Sequence, residues 1–540
     1  MSHDIEMDDI VQTDTNQLSE TRRLMEDNSP IVTLEQFKNY LLTNNISNDY
    51  LDSSADFNRD FIVNLPEGKF KITKIYRILP NRRVVVQAYN MVLGILVVIK
   101  IFIHDSKYKK DYNLLLKNHG LLTVNKLLTP KILANTLDFT NELSYVIFEY
   151  IEPDQKPVEP INNNKLFIAA IAKLHKKYIY QQDLHLNNFI VSNKKVYCVD
   201  IEGMFAKTGY LVNQNALDNF SMFLAQLDMT YCNQWYDYIN YYLQCLIPNI
   251  TSTKKILKTI KYIHKKAHEL LDQRLDKFLV KAQRENTQFK IIDSSFSVAS
   301  SSAKTSKKYK IDGVVKRQYY KWLDLFIKNP QQFIADHQVN ILKQGNTAYV
   351  YLIEYKGHRF VIKEYLKKNF IHQIVASIKA KFKWPRALNS WLYANLLEHV
   401  NISTPSPLGY FLTKRFGLIQ TSYFIMNFDE SFVSLANVDI QGSGVHSYQD
   451  IAMKIQDLLF KLDFLNLAHQ DFKSNNLALL EHTAEQLTVF DIDAMRRYKN
   501  KLFFKSQHKK DIDRILRSYD NNGDFLKLLK ARLNDEYEEF

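Results

Sequence analysis

Residues 469–479 read HQDFKSNNLAL and residues 489–497 read VFDIDAMRR. An earlier pair, QQDLHLNNFIV at 181–191 and CVDIEG at 198–203, repeats the arrangement. In each copy an Asp (Asp183, Asp471) precedes an Asn (Asn188, Asn476) by five positions, and a further Asp (Asp200, Asp491) closes a β-like stretch. Upstream in each half a Lys ends an apolar run: Lys100 in VVIKIF and Lys363 in FVIKEY. A lone Asp and Asn at this spacing says little. The ordered set of four, met twice in one chain, calls for one explanation.

Phosphoryl transfer needs these residue types. Phosphates carry several negative charges, so a Lys must clamp them, and magnesium prefers hard oxygen ligands such as Asp and Asn. An acceptor hydroxyl needs a carboxylate beside it to orient it and take its proton, and Asp-x4-Asn lets one loop supply both base and metal ligand.

Working outward, each half has the same order of signals. Stretches rich in Val, Ile and aromatics come first (FKITKIYRI, RVVVQAY and GILVVIKIFI, then YVYLIEY and HRFVIKEY) and read as antiparallel strands. Helical periodicity follows at 165–178 and 448–465 and runs into the acidic loops; helices are expected again at 217–227 and 509–519. The unit of repetition is a whole domain, so the chain reads as a duplication. Thr33 and Gln36 form a capping-box pattern ahead of a short helix near 33–44. The chain has 540 residues, 46% of them hydrophobic, enough for packed cores. The net charge of +13 fits an anionic partner. Three cysteines without CxxC spacing exclude a disulfide scaffold or zinc site and fit a reducing cytosol. The acidic N-terminus is no signal peptide, and the longest apolar run, 91–99, is too short to span a bilayer.

The order Lys, Asp-x4-Asn, Asp is that of the protein-kinase-like superfamily. The second half resembles the bacterial lipopolysaccharide kinases, which phosphorylate heptose or Kdo of the inner core. The resemblance is carried by ILKQGNTAYVYLIEYKGHRFVIKEY (341–365), WPRALNSWLYANLLEHVNISTPSPLGYF (384–411), HQDFKSNNLAL and FDIDAMRRYKNK (490–501). It covers nearly all of 338–540; residues 68–280 show the same skeleton more weakly. It implies an α+β fold of two tandem protein-kinase-like domains, each with a small antiparallel β-rich N-lobe and a larger helical C-lobe. Residues 1–66 would be a largely disordered extension with a short helix and 67–285 a divergent first domain. Residues 286–315 would be a Ser/Lys-rich linker and 316–540 the lipopolysaccharide-kinase-like domain.

In the second domain the resemblance makes Asp471 the catalytic base, Lys473 a clamp on the transferring phosphate, Asn476 and Asp491 the metal ligands, and Lys363 and Gly345 the nucleotide contacts. In the first, Asp183, Asn188, Asp200 and Lys100 take the same roles, with His185 standing where Lys473 stands. ATP and magnesium are the implied cofactors and lipopolysaccharide core or a lipid-linked sugar the implied acceptor, at the inner face of the cytoplasmic membrane or in the cytosol. Two departures stand out. KIYRILPNRRVVV lies where a Gly-rich phosphate loop belongs in the first half, and Gln181 stands where the second half has His469. Asp111 and Glu398 are the candidates for an acidic partner of the strand lysines. The alternatives are a protein or small-molecule kinase of the same fold, or a pseudokinase scaffold in the first domain regulating the second.

Residues 366–386 form a basic amphipathic pattern: Leu366, Phe370, Ile374, Ile378 and Phe382 on one stripe, lysines largely off it. Its apolar face packs on the domain's own sheet or meets anionic lipid. The basic stretch at 253–266 lacks interleaved aromatics, so no nucleic-acid partner is expected.

Overall fold

The computed structural model describes residues 31–34, 36–37, 61–79, 83–103, 108–138, 143–154, 160–248, 253–299, 306–345, 347–366, 370–379, 384–438, 440, 447–480 and 486–538. The chain divides into two units, 1–226 with 234–270, and 227–233 with 271–540.

The first unit is built on a seven-stranded sheet: β1 (Ile31–Thr33), β2 (Ile62–Leu65), β3 (Gly68–Leu79), β4 (Arg83–Asn90), β5 (Ile95–Ile103), β6 (Ile132–Asp138) and β7 (Leu143–Glu149), in the order β1-β2-β3-β4-β5-β7-β6. Neighbours are antiparallel except for the parallel β1–β2 edge. Successive side chains of a strand point to opposite faces. Val84, Val86 and Ala88 on β4 and Val97, Ile99 and Ile101 on β5 therefore enter one buried core, while Val85, Val98 and Lys100 line a cavity. A one-residue slip in register would drive the lysine into the core. Thr33 and Gln36 make the expected capping box: the Gln36 N–H donates to Thr33 Oγ1 at 3.1 Å and the Thr33 N–H to Gln36 Oε1 at 2.8 Å. The remainder of that helix and most of the 1–66 extension lie outside the described residues.

Below the sheet, helix Pro160–Lys176 leads into β8 (Ile179–Gln181), a turn at Leu186–Asn188, β9 (Phe189–Ser192), β10 (Lys195–Cys198) and β11 (Met204–Ala206). β9 pairs with β10 and β8 with β11. Helices Gln214–Leu224 and Trp235–Leu246 complete the unit, with the first part of helix Thr253–Lys281.

The second unit has its own seven-stranded antiparallel sheet: β12 (Phe289–Ala299), β13 (Ser306–Lys316), β14 (Gln338–Gln344), β15 (Ala348–Tyr355), β16 (His358–Leu366), β17 (Pro407–Arg415) and β18 (Leu418–Asn427), ordered β12-β13-β17-β18-β16-β15-β14. The run β14-β15-β16-β18-β17 has the strand order of β3-β4-β5-β7-β6; the two sheets are extended at opposite edges of this common set. Helix Tyr448–Phe464 is capped by Ser447, which accepts the Asp450 N–H, and buries Ile451, Ile455, Leu458, Leu459 and Leu462 at helical spacing. It leads into β20 (Leu467–Ala468), a turn at Ser474–Asn476, β21 (Leu477–Leu480), β22 (Thr488–Val489) and β23 (Arg496–Arg497), with β21 also pairing with β19 (Phe432–Ser434). Helices Lys501–Arg517 and Gly523–Glu538 follow. Among the described residues no helix is long and apolar enough to cross a membrane.

The expected linker at 286–315 is a hairpin for most of its length: β12 and β13 pair over their full extent, and β13 joins β17. Ile292, Ile311 and Val315 enter the second core, while Ser294, Ser295, Ser297, Lys308 and Lys310 are exposed, so the polar composition concealed the inward apolar positions. The boundary also moves upstream to 270/271. Within the second unit Asp272 and Asp276 pair with Arg497, and Trp391 Nε1 donates to Ala282 O at 2.8 Å.

Two glycines let the hairpin dock. A Cβ on Gly313 would lie 2.2 Å from the Tyr410 carbonyl oxygen, and one on Gly409 would lie 2.8 Å from Val315 Cγ1. Gly313→Val is expected to lift β13 from β17 and destabilise the second unit by about 2 kcal/mol, the range of core overpacking. A lowered melting temperature with new proteolytic cleavage between 289 and 316 is the expected result. Unchanged melting would refute the docking role.

Candidate functional site

In the second unit the acidic loop is held by hydrogen bonds on all sides. Asn476 Nδ2 donates to Asp471 O at 2.8 Å and to Asp471 Oδ2 at 3.0 Å, and Lys473 Nζ lies 2.9 Å from the same carboxylate oxygen. The Asp471 N–H donates to His469 Nδ1 at 3.3 Å, so Nε2 carries the ring proton and donates to Phe490 O at 2.8 Å. Burial holds the His469 imidazole below its usual range. Gln470 has φ of 67°, a left-handed conformation that costs a non-glycine residue roughly 1–2 kcal/mol. Its N–H donates to Asp511 Oδ2 at 3.0 Å, which fixes that conformation, and the fully buried Asp511 also accepts from Arg514 at 2.9 Å.

The Phe490 N–H donates to Asn476 O at 2.9 Å, which sets Asp491 beside the loop. Asp491 is itself left-handed, with φ of 53°. Lys363, from the cleft face of β16, pairs with Asp491 and lies 3.4 Å from Asp493. Arg386 binds Asp493 at 2.6 Å and packs on the Tyr365 ring, 4.9 Å from its centroid. Burial works against charge on Lys363, but the facing Tyr365, Asp493 and Asp491 outweigh it and hold the ammonium above its ordinary value. Burial likewise opposes ionisation of Asp491; Lys363 overcomes it and lowers the carboxyl. Gly345 opens the β14–β15 turn, its N–H donating to Ala348 O at 3.0 Å. Thr347 in that turn accepts from Arg386 at 3.4 Å.

The first unit repeats this geometry. Asn188 Nδ2 donates to Asp183 O at 2.9 Å, the Val199 N–H donates to Asn188 O at 2.9 Å, and His185 Nε2 lies 3.0 Å from Asp183 Oδ1. Lys100 lies 3.4 Å from Asp200 and also pairs with Glu202. All five expected residues line one cavity of about 1010 Å³. Two arginines join them: Arg83 reaches Glu202 at 3.0 Å and Asp200 at 3.8 Å, and Arg77 reaches Asp200 at 3.9 Å. Burial would raise the Asp200 carboxyl, but its bond with Glu202 and the Lys100 and Arg83 charges hold it well below the usual range.

The expected acidic partners of the lysines fare differently. Glu398 binds Lys316 at 2.7 Å, so it is not the partner of Lys363. Asp111 lines the first cavity, while Lys100 takes Asp200 and Glu202. In both units the missed acid stands two positions after the metal-type Asp, in DIE and DID. That spacing was the available signal. No group of three or more His, Cys, Asp and Glu able to hold a metal ion by itself occurs among the described residues.

The sequence profile of the lipopolysaccharide kinase (Kdo/WaaP) family matches residues 332–537. Over these residues the chain is similar to that kinase family. Among solved structures, WaaP in complex with acyl carrier protein is 12% identical, with a TM-score of 0.26, over 37% of this chain and 89% of that one. A crystal structure of a kinase domain is also 12% identical, with a TM-score of 0.24, over 38% of this chain and 89% of that one. No curated protein matches the chain.

The first unit's loop rests on a neutral network. His175, fully buried, bonds Tyr242 OH at 2.7 Å through Nδ1 and Asn219 Oδ1 at 3.2 Å through Nε2, and the Gln181 N–H donates to the same Asn219 oxygen at 3.2 Å. Burial pushes the His175 imidazole down to about 4 from 6.5. The unfolded chain therefore binds the extra proton between these values, and stability rises with pH across that window. The His175 contribution is complete above about pH 6.5 and is lost as pH falls towards about 4, with an upper bound of roughly 3 kcal/mol. Calorimetry should show the first unit's melting temperature falling over this window, and falling less in His175→Gln. An equal fall in both proteins would count against the histidine.

Proposed function

We propose that the kinase domain transfers the γ-phosphoryl group of ATP to a sugar hydroxyl, of heptose or Kdo, in lipopolysaccharide inner core. The observation that carries this reading is the family match over the residues that contain the Asp471–Lys473–Asn476 loop and the Lys363–Asp491–Asp493 cluster. Asp471 stands as the base, its carboxylate fixed by Asn476 and Lys473. Lys363 takes the nucleotide phosphates, and the Gly345 turn covers them. Asn476 and Asp491 would hold magnesium, which supplies charge neutralisation on the phosphates. Two protein ligands suit an ion that keeps waters and phosphate oxygens in its shell. A cavity of about 520 Å³ lined by Lys473, Ser474, Asn475, Tyr519 and Asn522 adjoins the loop; its size, within the range of small-molecule sites, supports an acceptor pocket there.

Asp471→Asn should lower phosphate transfer to purified core oligosaccharide by on the order of 100- to 10,000-fold, the range for a general base, with ATP binding retained. Mass spectrometry of the product reads the added phosphate. Transfer undiminished in this variant would refute the assignment, and transfer to peptide alone would favour a protein kinase.

Membrane contact is the second part of the proposal. On helix Phe370–Lys379, Gln373 and Ser377 bond to Gln420 and Ile419 at the start of β18, so this side faces the sheet. Ile378 and Val375 remain exposed, as does Phe416 in the β17–β18 turn. The lysines at 367, 368, 381 and 383 flank the helix in sequence but lie outside the described residues. Exposed apolar side chains in a segment whose sequence is rich in lysine fit an anionic lipid surface. Ile378→Glu with Phe416→Glu should reduce sedimentation with phosphatidylserine vesicles several-fold while leaving ATP binding intact. Equal sedimentation would end this part.

A further inference from the structure

The cavity of the first unit has two chemically distinct ends. One is an apolar slot, with Val85 and Val98 from the sheet on one side and Ile190 and Val199 from the loop region on the other. The other end gathers Arg77, Arg83 and Lys100 around Asp200 and Glu202. A flat base fits the first end and phosphate oxygens the second.

Three observations bear on the charge at the polar end. Lys100 and Arg83 are nearly buried, with 8% and 11% of their side chains exposed, and buried cations are costly unless matched by anions. Three cations face two carboxylates there, an excess of one positive charge among these five groups. Finally, Arg83 Nε and Glu202 Oε2 are buried without a hydrogen-bond partner. Asp200, for its part, already faces cations on both oxygens: Lys100 on Oδ1, Arg77 and Arg83 on Oδ2. A divalent ion at Asp200 would have to displace these groups or sit among like charges.

Arg77 and Arg83 flank the β3–β4 turn, the place of the phosphate-covering turn that Gly345 opens in the second unit. Guanidinium groups bind phosphate through several directed N–H donors and carry a permanent charge. We infer that the first unit binds a nucleoside triphosphate without a divalent cation, with Arg77, Arg83 and Lys100 neutralising the phosphates in place of the metal. This site is separate from the phosphate-transfer reading of the second unit and does not depend on it.

The test uses the full chain carrying Lys363→Ala, which disables the second unit's phosphate contact, and ATP as probe in isothermal titration with EDTA or with magnesium. One equivalent is expected to bind in EDTA, with an affinity within about threefold of that in magnesium, well under one decade of binding constant. Arg77→Ala with Arg83→Ala should weaken binding in EDTA by tenfold or more, roughly one such decade. Arg77 is half-exposed, so Arg77→Ala alone, with its melting temperature as a folding control, should still weaken it several-fold. Absence of saturable binding in EDTA overturns the inference. So does binding that requires magnesium, or binding in EDTA that survives the arginine substitutions. Phosphate transfer in the otherwise unaltered chain is a separate readout, so failure there leaves this result standing.

Discussion

Each unit depends on one electrostatic arrangement, a lysine on an inner strand of the sheet reaching a pair of acids spaced two residues apart. Lys363 meets Asp491 and Asp493; Lys100 meets Asp200 and Glu202. A nearly buried ammonium costs several kcal/mol without such partners. The alternation of β16 and β5 places the lysine in the cleft and, on the other face, Phe360 and Ile362 or Ile99 and Ile101 in the core. The sheet's register is therefore held both by hydrophobic burial and by charge: a slip would expose the core residues and strand the lysine without its acids. In the second unit the left-handed backbone at Asp491 belongs to the same arrangement. It turns the chain sharply after β22, so that Asp491 and, two residues later, Asp493 both face the lysine.

Around the loop, preorganisation comes from backbone groups as much as from side chains. Asn476 holds the Asp471 carbonyl and carboxylate, and its own carbonyl takes the N–H of Phe490. His469 joins the same two segments from beneath, accepting from Asp471 and donating to Phe490. The segment bearing Asp471 and the segment bearing Asp491 are thus tied together twice. Groups that act on developing charge work best when already fixed in place.

Much of this was legible in the sequence, because order and spacing carry it. The lysine strands, the helices into each loop and the Asp-x4-Asn turns occur where periodicity put them. The tetrad could be named because phosphate and metal chemistry restrict the residue types. What stayed hidden has physical reasons. Strands β12 and β13 expose Ser294, Ser295, Ser297, Lys308 and Lys310, and this polar content masked the inward Ile292, Ile311 and Val315. Its docking rests on the close approach of Gly313 and Gly409, which no local pattern signals. Arg386 and Asp493 meet from distant parts of the sequence, and Asp511 supports Gln470 from a later helix. Contacts of that kind arise only when the chain is folded. Glu398 has the helix position of an acidic partner, but Lys316 on β13 takes it first.

The two loops differ most in what supports them from below. In the second unit the N–H at Gln470 is held by the ionisable Asp511, itself bound to Arg514. Such a charge-assisted bond is about twice as strong as a neutral one, and it is set against the strained backbone one residue before Asp471. The first unit uses neutral groups instead: Asn219 accepts from Gln181 and from His175, and Gln181 Nε2 donates to Asp200 O at 2.8 Å. Its acidic loop residue, Asp183, is mostly exposed, and no residue between the start of β8 and Asp183 is left-handed. A carboxylate that must accept a proton at one defined position needs stiff, directional support. A loop that only forms one wall of a binding cavity does not. The stronger support beneath Asp471 and the cations gathered at Asp200 therefore point the same way, towards transfer in the second unit and retention of an anionic ligand in the first.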